Sequence, residues 1–266
     1  MAADSASLNL GAPGERIGFA VRRVPLDAPW NWLARGWRDL CALPVVSLAY
    51  GATFCVAGWV VAYWLNQIDA SSLIPVLAGG FLLVAPLLAA GFYEISRRLE
   101  KDEPVTLRGV VHQCRAAMGR LALFGIVLFF VYFIWVELAF LLLTLFLGGA
   151  QLPEADQFVQ ALLFTKTGVG LLSGAVFAGA VLAGLVFSIS SVAAPLLLVR
   201  DVDIVTAMVT SARAVRANPG VMLLWAVIIA GHMALALATA FVGLIVVFPL
   251  LGYATWHAYR DLVGRA

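Results

Sequence analysis

Charge is scarce in this chain. Only 12% of its 266 residues are Asp, Glu, Lys or Arg, about half the share a soluble domain carries. With 63% of residues apolar and a mean hydropathy of +0.98, a soluble fold could not keep a wettable exterior. Cysteine is scarce too: Cys41, Cys55 and Cys114 lie far apart and form no CxxC pair, so neither a disulfide framework nor a zinc site is indicated. The three histidines show no HExxH spacing, and there is no P-loop, Rossmann glycine pattern or GxSxG elbow. We therefore expect no enzyme activity, cofactor, metal or nucleic-acid partner. Residues 1 to 29 hold no apolar run of about 7–15 residues after a basic start, so no signal peptide is expected.

Long apolar runs, by contrast, are plentiful, and they recur in a pattern. Trp30 to Leu43 reads as a helix lying in the interface. Trp30, Leu33, Ala34, Trp37, Leu40 and Cys41 share one face, and Asn31, Arg35, Arg38 and Asp39 the other. Pro44 ends it, and Val45 to Leu65 is long enough to span, at about 20 residues. A polar turn follows, and Leu73 to about Ile95 returns.

A second amphipathic segment carries Leu107, Val110, Val111, Cys114 and Met118, with Arg108, His112, Arg115 and Arg120 off the stripe. Leu121 to Leu147 spans, a loop holds Pro153, Glu154, Asp156 and Lys166, and Gly168 to Val199 spans back. That last run is overlong for about 30 Å of hydrocarbon, so tilt or a bend near Pro195 is expected. A third segment sets Ile204, Val205, Met208, Ala212 and Val215 against Thr210, Arg213 and Arg216. Val221 to about Phe241 then spans, Gly243 marks a turn, and Leu244 to about Tyr259 is the last crossing.

The predicted fold is all-α, with six transmembrane helices in three repeats of an interfacial amphipathic helix plus a helical hairpin. Residues 1–29 form a cytoplasmic extension, flexible up to about Glu15, with Arg22 and Arg23 placed to meet anionic headgroups. Residues 30–263 form one membrane domain, with repeats at about 30–100, 104–201 and 203–263. The repeat is most visible in its endings: VAPLLAAGFYEISRRLE around Pro86, AAPLLLVRD around Pro195 and VFPLLGYATWHAYRDL around Pro249.

Basic residues gather on one side of these spans, and Lys166 alone faces Asp69, Glu154 and Asp156 on the other. Short loops rich in Lys and Arg stay cytoplasmic, which puts both termini inside. Small residues recur every fourth position at Gly170, Gly174 and Ala178 and at Ala226, Ala230, Ala234 and Ala238. They predict close packing of the fourth and fifth spans, or contact with a second protomer.

Glu137 and His232 lie inside spans, where an ionisable group costs at least ~2.5 kcal/mol and is a functional candidate by default. Together with Ser188, Ser190 and Ser191 they form the candidate polar site. The alternative is a protonated glutamate and a neutral histidine bonded to neighbouring backbone or hydroxyl groups. The serines would then satisfy carbonyls freed by Pro195. Glu94 and His257 occupy matching places in the repeated ending, each three residues before an arginine and sharing its helix face.

RRVPLDAPWNWLARGWRDL, SLAYG at Ser47, GGFLLVAPLLAAGFYEISRRLE and GYATWHAYRDLV resemble an uncharacterised family of predicted bacterial integral membrane proteins, a domain of unknown function. The resemblance runs from about Ile17 onward. It implies a multi-pass protein of the bacterial inner membrane and carries no activity or catalytic residue. More distantly, the repeated unit resembles the membrane domains of bacterial glycerophosphodiester phosphodiesterases, whose catalytic site has no counterpart here. The expected function is a non-catalytic accessory, assembly or regulatory membrane protein, in contact with anionic lipids and with a membrane-protein partner or further copies of itself. A transporter or pore for a lipid or small solute is the alternative.

Overall fold

The computed structural model describes residues 18–147 and 155–264. Among these the chain is helical and contains no strand. An extended segment leads into α1 (Ala28–Ala42), and Pro44 opens α2 (Pro44–Gln67). A short 3-10 turn precedes α3 (Ile74–Leu88), which is followed after Ala89 by α4 (Ala90–Glu100). Then come α5 (Leu107–Ala116), α6 (Met118–Leu147) and α7 (Ala155–Phe164). The chain ends with α8 (Lys166–Ser190), α9 (Ala193–Val199), α10 (Ile204–Ala217), α11 (Pro219–Ala238) and α12 (Leu244–Val263).

Side-chain caps start the polar-flanked helices. Thr106, Thr165 and Asp203 accept from the backbone N–H three residues on, replacing a bond the first helical turn cannot make internally.

Among the described residues, five stretches are long and apolar enough to cross a membrane: Pro44–Gln67, Val76–Glu100, Met118–Leu145, Lys166–Val199 and Pro219–Ala238. The expected sixth, α12, is not among them. Its second half carries Thr255, His257, Arg260 and Asp261, and α1, α2, α4 and α11 pack around it. A helix screened from lipid by its neighbours need not be apolar along its whole length.

Two long spans are broken. The bend expected near Pro195 is a break at Ser191–Val192, one turn earlier. The proline ring excludes the carbonyl four residues before it, which is that of Ser191. Pro86 sits inside α3, whose break falls just after it at Ala89. Pro249 leaves α12 continuous. It cannot donate to the Ile245 carbonyl, and Gly51 of α2 backs onto that carbonyl, where a Cβ would lie 2.4 Å from the oxygen. The three segments after these prolines pack on one another, α4 and α9 on α12 and α4 on α9. Tyr93, Leu196, Leu197, Tyr253, Trp256 and Tyr259 fill that core.

Two expectations change, at α7 and α8, and α1 and α10 turn inward faces that the sequence did not assign. The stretch read as a loop before Lys166 contains α7, packed on α8; Pro153 and Glu154 lie outside the described residues, as do residues 1–17. In α1 the buried face is Pro29, Trp32, Gly36 and Leu40, while Trp30 and Trp37 face outward. In α10 the buried face is Ala207, Thr210, Ser211 and Ala214, with Val205 exposed. Finally, α8 packs on α6, α7 and α10 rather than on α11. Its small residues admit an aromatic ring, Trp135 of α6 lying against Gly179. A bulky aromatic uses the space left by a missing side chain as well as a second helix would.

Candidate functional site

Because α8 and α11 do not close on each other, a cleft of about 550 Å3 remains between them. Ala183, Gly184 and Phe187 of α8 form one side and Ala226, Ala230 and Met233 of α11 the other, with Phe248 and Tyr93 behind. Ala183, Gly184 and Ala230 are exposed, so the cleft opens outward between the two helices. No charged side chain lines it among the described residues. Three of its hydroxyls are engaged within their own segments: Ser188 donates to the Gly184 carbonyl at 2.7 Å, Thr255 to Leu251 at 2.7 Å and Tyr93 to Pro86 at 3.0 Å. A wall mostly of hydrocarbon, with no charge, accepts an apolar chain and offers little to an ion or sugar.

The candidate residues divide. Ser188, Ser190 and Ser191 all lie on the cleft wall. Ser191 shares a 3.0 Å hydrogen bond with Ser211, whose oxygen also accepts from the Val192 N–H freed at the helix break. Glu137 and His232 do not line the cleft. The His232 ring bonds the Ile228 carbonyl at 2.8 Å, one turn back on its own helix. Glu137 is exposed on α6 and makes no hydrogen bond or ion pair among the described residues. Nothing joins the two.

Beyond the cleft floor lies a network of charges. Glu94 is fully buried; Arg97 donates to both its oxygens at 2.7 and 2.9 Å and Arg98 to one at 2.7 Å. Arg97 also pairs with Glu103, whose carboxyl it holds below the usual carboxylate range. His257 does not pair with the arginine three residues on. Its ring meets Asp39 of α1 at 2.8 Å, and Arg260 instead meets Glu100 of α4 at 2.8 Å. Asp261 accepts from Trp32 at 2.8 Å and pairs with Arg35. Sequence reasoning missed Asp39, Trp32 and Ser211 as structural partners, because each acts on a different helical element, Asp39 across 218 positions of chain and Trp32 across 229. Among the described residues no group of three or more His, Cys, Asp or Glu could hold a metal ion.

A family model described as a predicted integral membrane protein (DUF2189), a domain of unknown function, matches residues 73–199. This is an integral membrane protein. The matched stretch runs from the 3-10 turn to the end of α9 and contains both helix breaks. The match is shorter than the near-full-length resemblance expected, and RRVPLDAPWNWLARGWRDL and GYATWHAYRDLV lie outside it. No curated protein and no solved structure matches the chain.

Proposed function

We propose that this protein binds a membrane lipid, taking one acyl chain sideways into the cleft between α8 and α11. The observation that carries the reading is the cleft itself, mostly hydrocarbon, without a charged side chain and open along the exposed Ala183 and Ala230. In a bilayer the available filler is a lipid tail. The headgroup would lie toward the basic end, where Arg216 is exposed between Val215 and Pro219, both on the cleft wall. An anionic lipid suits that position. Of the two transport readings, a route for a polar solute is the poorer fit, since Glu137 and His232 stand away from the cleft.

Six crossings with both termini cytoplasmic remain our reading of the topology. Parity supports it. The Arg22 N–H donates to the Leu262 carbonyl at 2.8 Å, so the chain before the first span meets the last turn of α12. Five crossings would leave those residues on opposite faces; a sixth by α12 brings them together. The basic side is then cytoplasmic, in a bacterial inner membrane. The convergence of the Pro86, Pro195 and Pro249 segments likewise supports three repeated units.

The test is purification from host membranes with mass spectrometry of what co-purifies. Ala230→Trp, which fills the cleft, should strip a bound lipid that Ala234→Trp, off the cleft wall, retains. Equal lipid in both variants rejects the site. An accessory role is the second reading, favoured by α6, of whose apolar window only 6% is buried within the protein. A stoichiometric protein partner in the same purification would support it.

A further inference from the structure

A second cavity, of about 400 Å3, opens at the other end of the bundle, between α2 and α3. These helices are consecutive in the chain, yet they diverge from their connecting turn instead of packing together. Ala57 and Ala62 of α2 face Leu77 and Ala78 of α3 across the gap, and Phe241 and Leu244 close the third side. Every wall side chain is aliphatic, phenyl or absent, so water would find no hydrogen-bonding partner inside.

The gap is braced open. At one end the Tyr50 hydroxyl donates to the Leu88 carbonyl at 2.7 Å, and at the other the Trp59 indole donates to the Ala240 carbonyl at 2.7 Å. Ala240 and Phe241 hold φ of +50° and +68°, values that bulky L-residues rarely adopt. That turn lays the Phe241 ring over Gly58, where a Cβ would lie 2.8 Å from it. Backbone strain of this kind persists only where the surroundings enforce it.

The two cavities stand back to back. Phe54 and Phe81 line the outer one and Phe248 lines the α8–α11 cleft. The three rings form a single cluster, with centroids 4.5 Å apart for Phe54–Phe248, 5.6 Å for Phe81–Phe248 and 5.8 Å for Phe54–Phe81.

We propose that the α2–α3 cavity is a second acyl-chain site, separated from the first by the Phe54–Phe81–Phe248 partition, so that the protein holds one lipid chain from each leaflet. The proposal rests on the lipid-binding reading of the cleft. The occupant is a lipid tail because the cavity lies within the spans, has the volume of a small-molecule pocket and presents only hydrocarbon.

The test counts ligands. Delipidated protein in detergent is exposed to a single-chain probe, 1-palmitoyl lysophosphatidylglycerol, and bound copies are counted by native mass spectrometry. The expected numbers are two for the unaltered chain, one for Ala78→Phe, one for Ala230→Trp and none for the double variant. Should Ala78→Phe fail to fold, Ala62→Phe fills the same cavity from the opposite wall. Two copies retained by a folded Ala78→Phe or Ala62→Phe overturn the second site. A single copy on the unaltered chain, lost only with Ala230→Trp, overturns it while leaving the cleft reading intact. No bound copy at all overturns both.

Discussion

Glu94 has no contact with solvent and holds two guanidinium groups. Such a cluster gives little net stability when intact, because desolvation offsets the Coulombic gain, but losing one partner strands the others. We expect Glu94→Gln to destabilise the protein by about 3 kcal/mol, read as a lower melting temperature in detergent. Asp203 acts at the surface. Thr206, through its hydroxyl and its N–H, holds the Asp203 carboxyl below the ordinary range. A depressed folded value means the contribution is present above the ordinary carboxylate pKa and lost as pH falls through the folded one. Asp203→Ala should therefore cost about 1 kcal/mol at neutral pH. The difference should fade below about pH 4, which melting curves across pH would reveal.

Helices here meet where side chains are missing. Gly51 lies against the Ile245 carbonyl and Gly36 against the Leu250 carbonyl and the Ala254 N–H, so α1 and α2 both rest on the backbone of α12. A single methyl at Gly51 meets rigid backbone, and Gly51→Ala should cost about 1–3 kcal/mol, typical of overpacking. Gly231, with nothing within 4 Å of its would-be Cβ, is the control: Gly231→Ala should be neutral or stabilise by up to about 1 kcal/mol through helix propensity. The alanine stripe of α11 behaves unlike its sequence pattern. Ala230 and Ala234 are both exposed, and Ala234→Leu should leave stability within about 0.5 kcal/mol. Thermal shifts of the three variants separate these cases.

At the scale of the whole molecule, burial is uneven. The basic end is densely packed and cross-braced by ion pairs, while α6 is nearly bare. The segment from residue 18 belongs to the packed end. Its backbone bonds Thr210 at 3.0 Å, Leu262 at 2.8 Å and Asn218 at 2.9 Å, tying residues 19–24 to α10, its C-cap and α12. Topology is the property to test here. A reporter fused after Ala266 that is active only in the cytoplasm should be active, and one inserted in the Asn66–Ser71 turn should be silent. The opposite result at the C-terminus would reduce the crossings to an odd number.

The sequence by itself determined that the chain enters the membrane, and it placed most helices to within a few residues. Both follow from the solvent: hydrocarbon requires apolar runs of about 20 residues whose backbone bonds are made internally. It could not tell which face of a helix turns inward. In water an apolar stripe marks the core, but beside lipid the outer face is apolar as well. Thus α1 buries Trp32 and exposes Trp30 and Trp37, and α10 buries Thr210 and Ser211 while exposing Val205. Nor did periodicity reveal that Gly179 of α8 receives a tryptophan, that His257 seeks Asp39 across 218 positions of chain, or that two pairs of helices stand apart. The serines stand near a proline in the sequence, yet Ser188 bonds the Gly184 carbonyl and Ser191 bonds Ser211, not the carbonyl that Pro195 frees. The cleft they line, and the three phenyl rings behind it, exist only through contacts among helices distant in the chain, which tertiary packing alone decides.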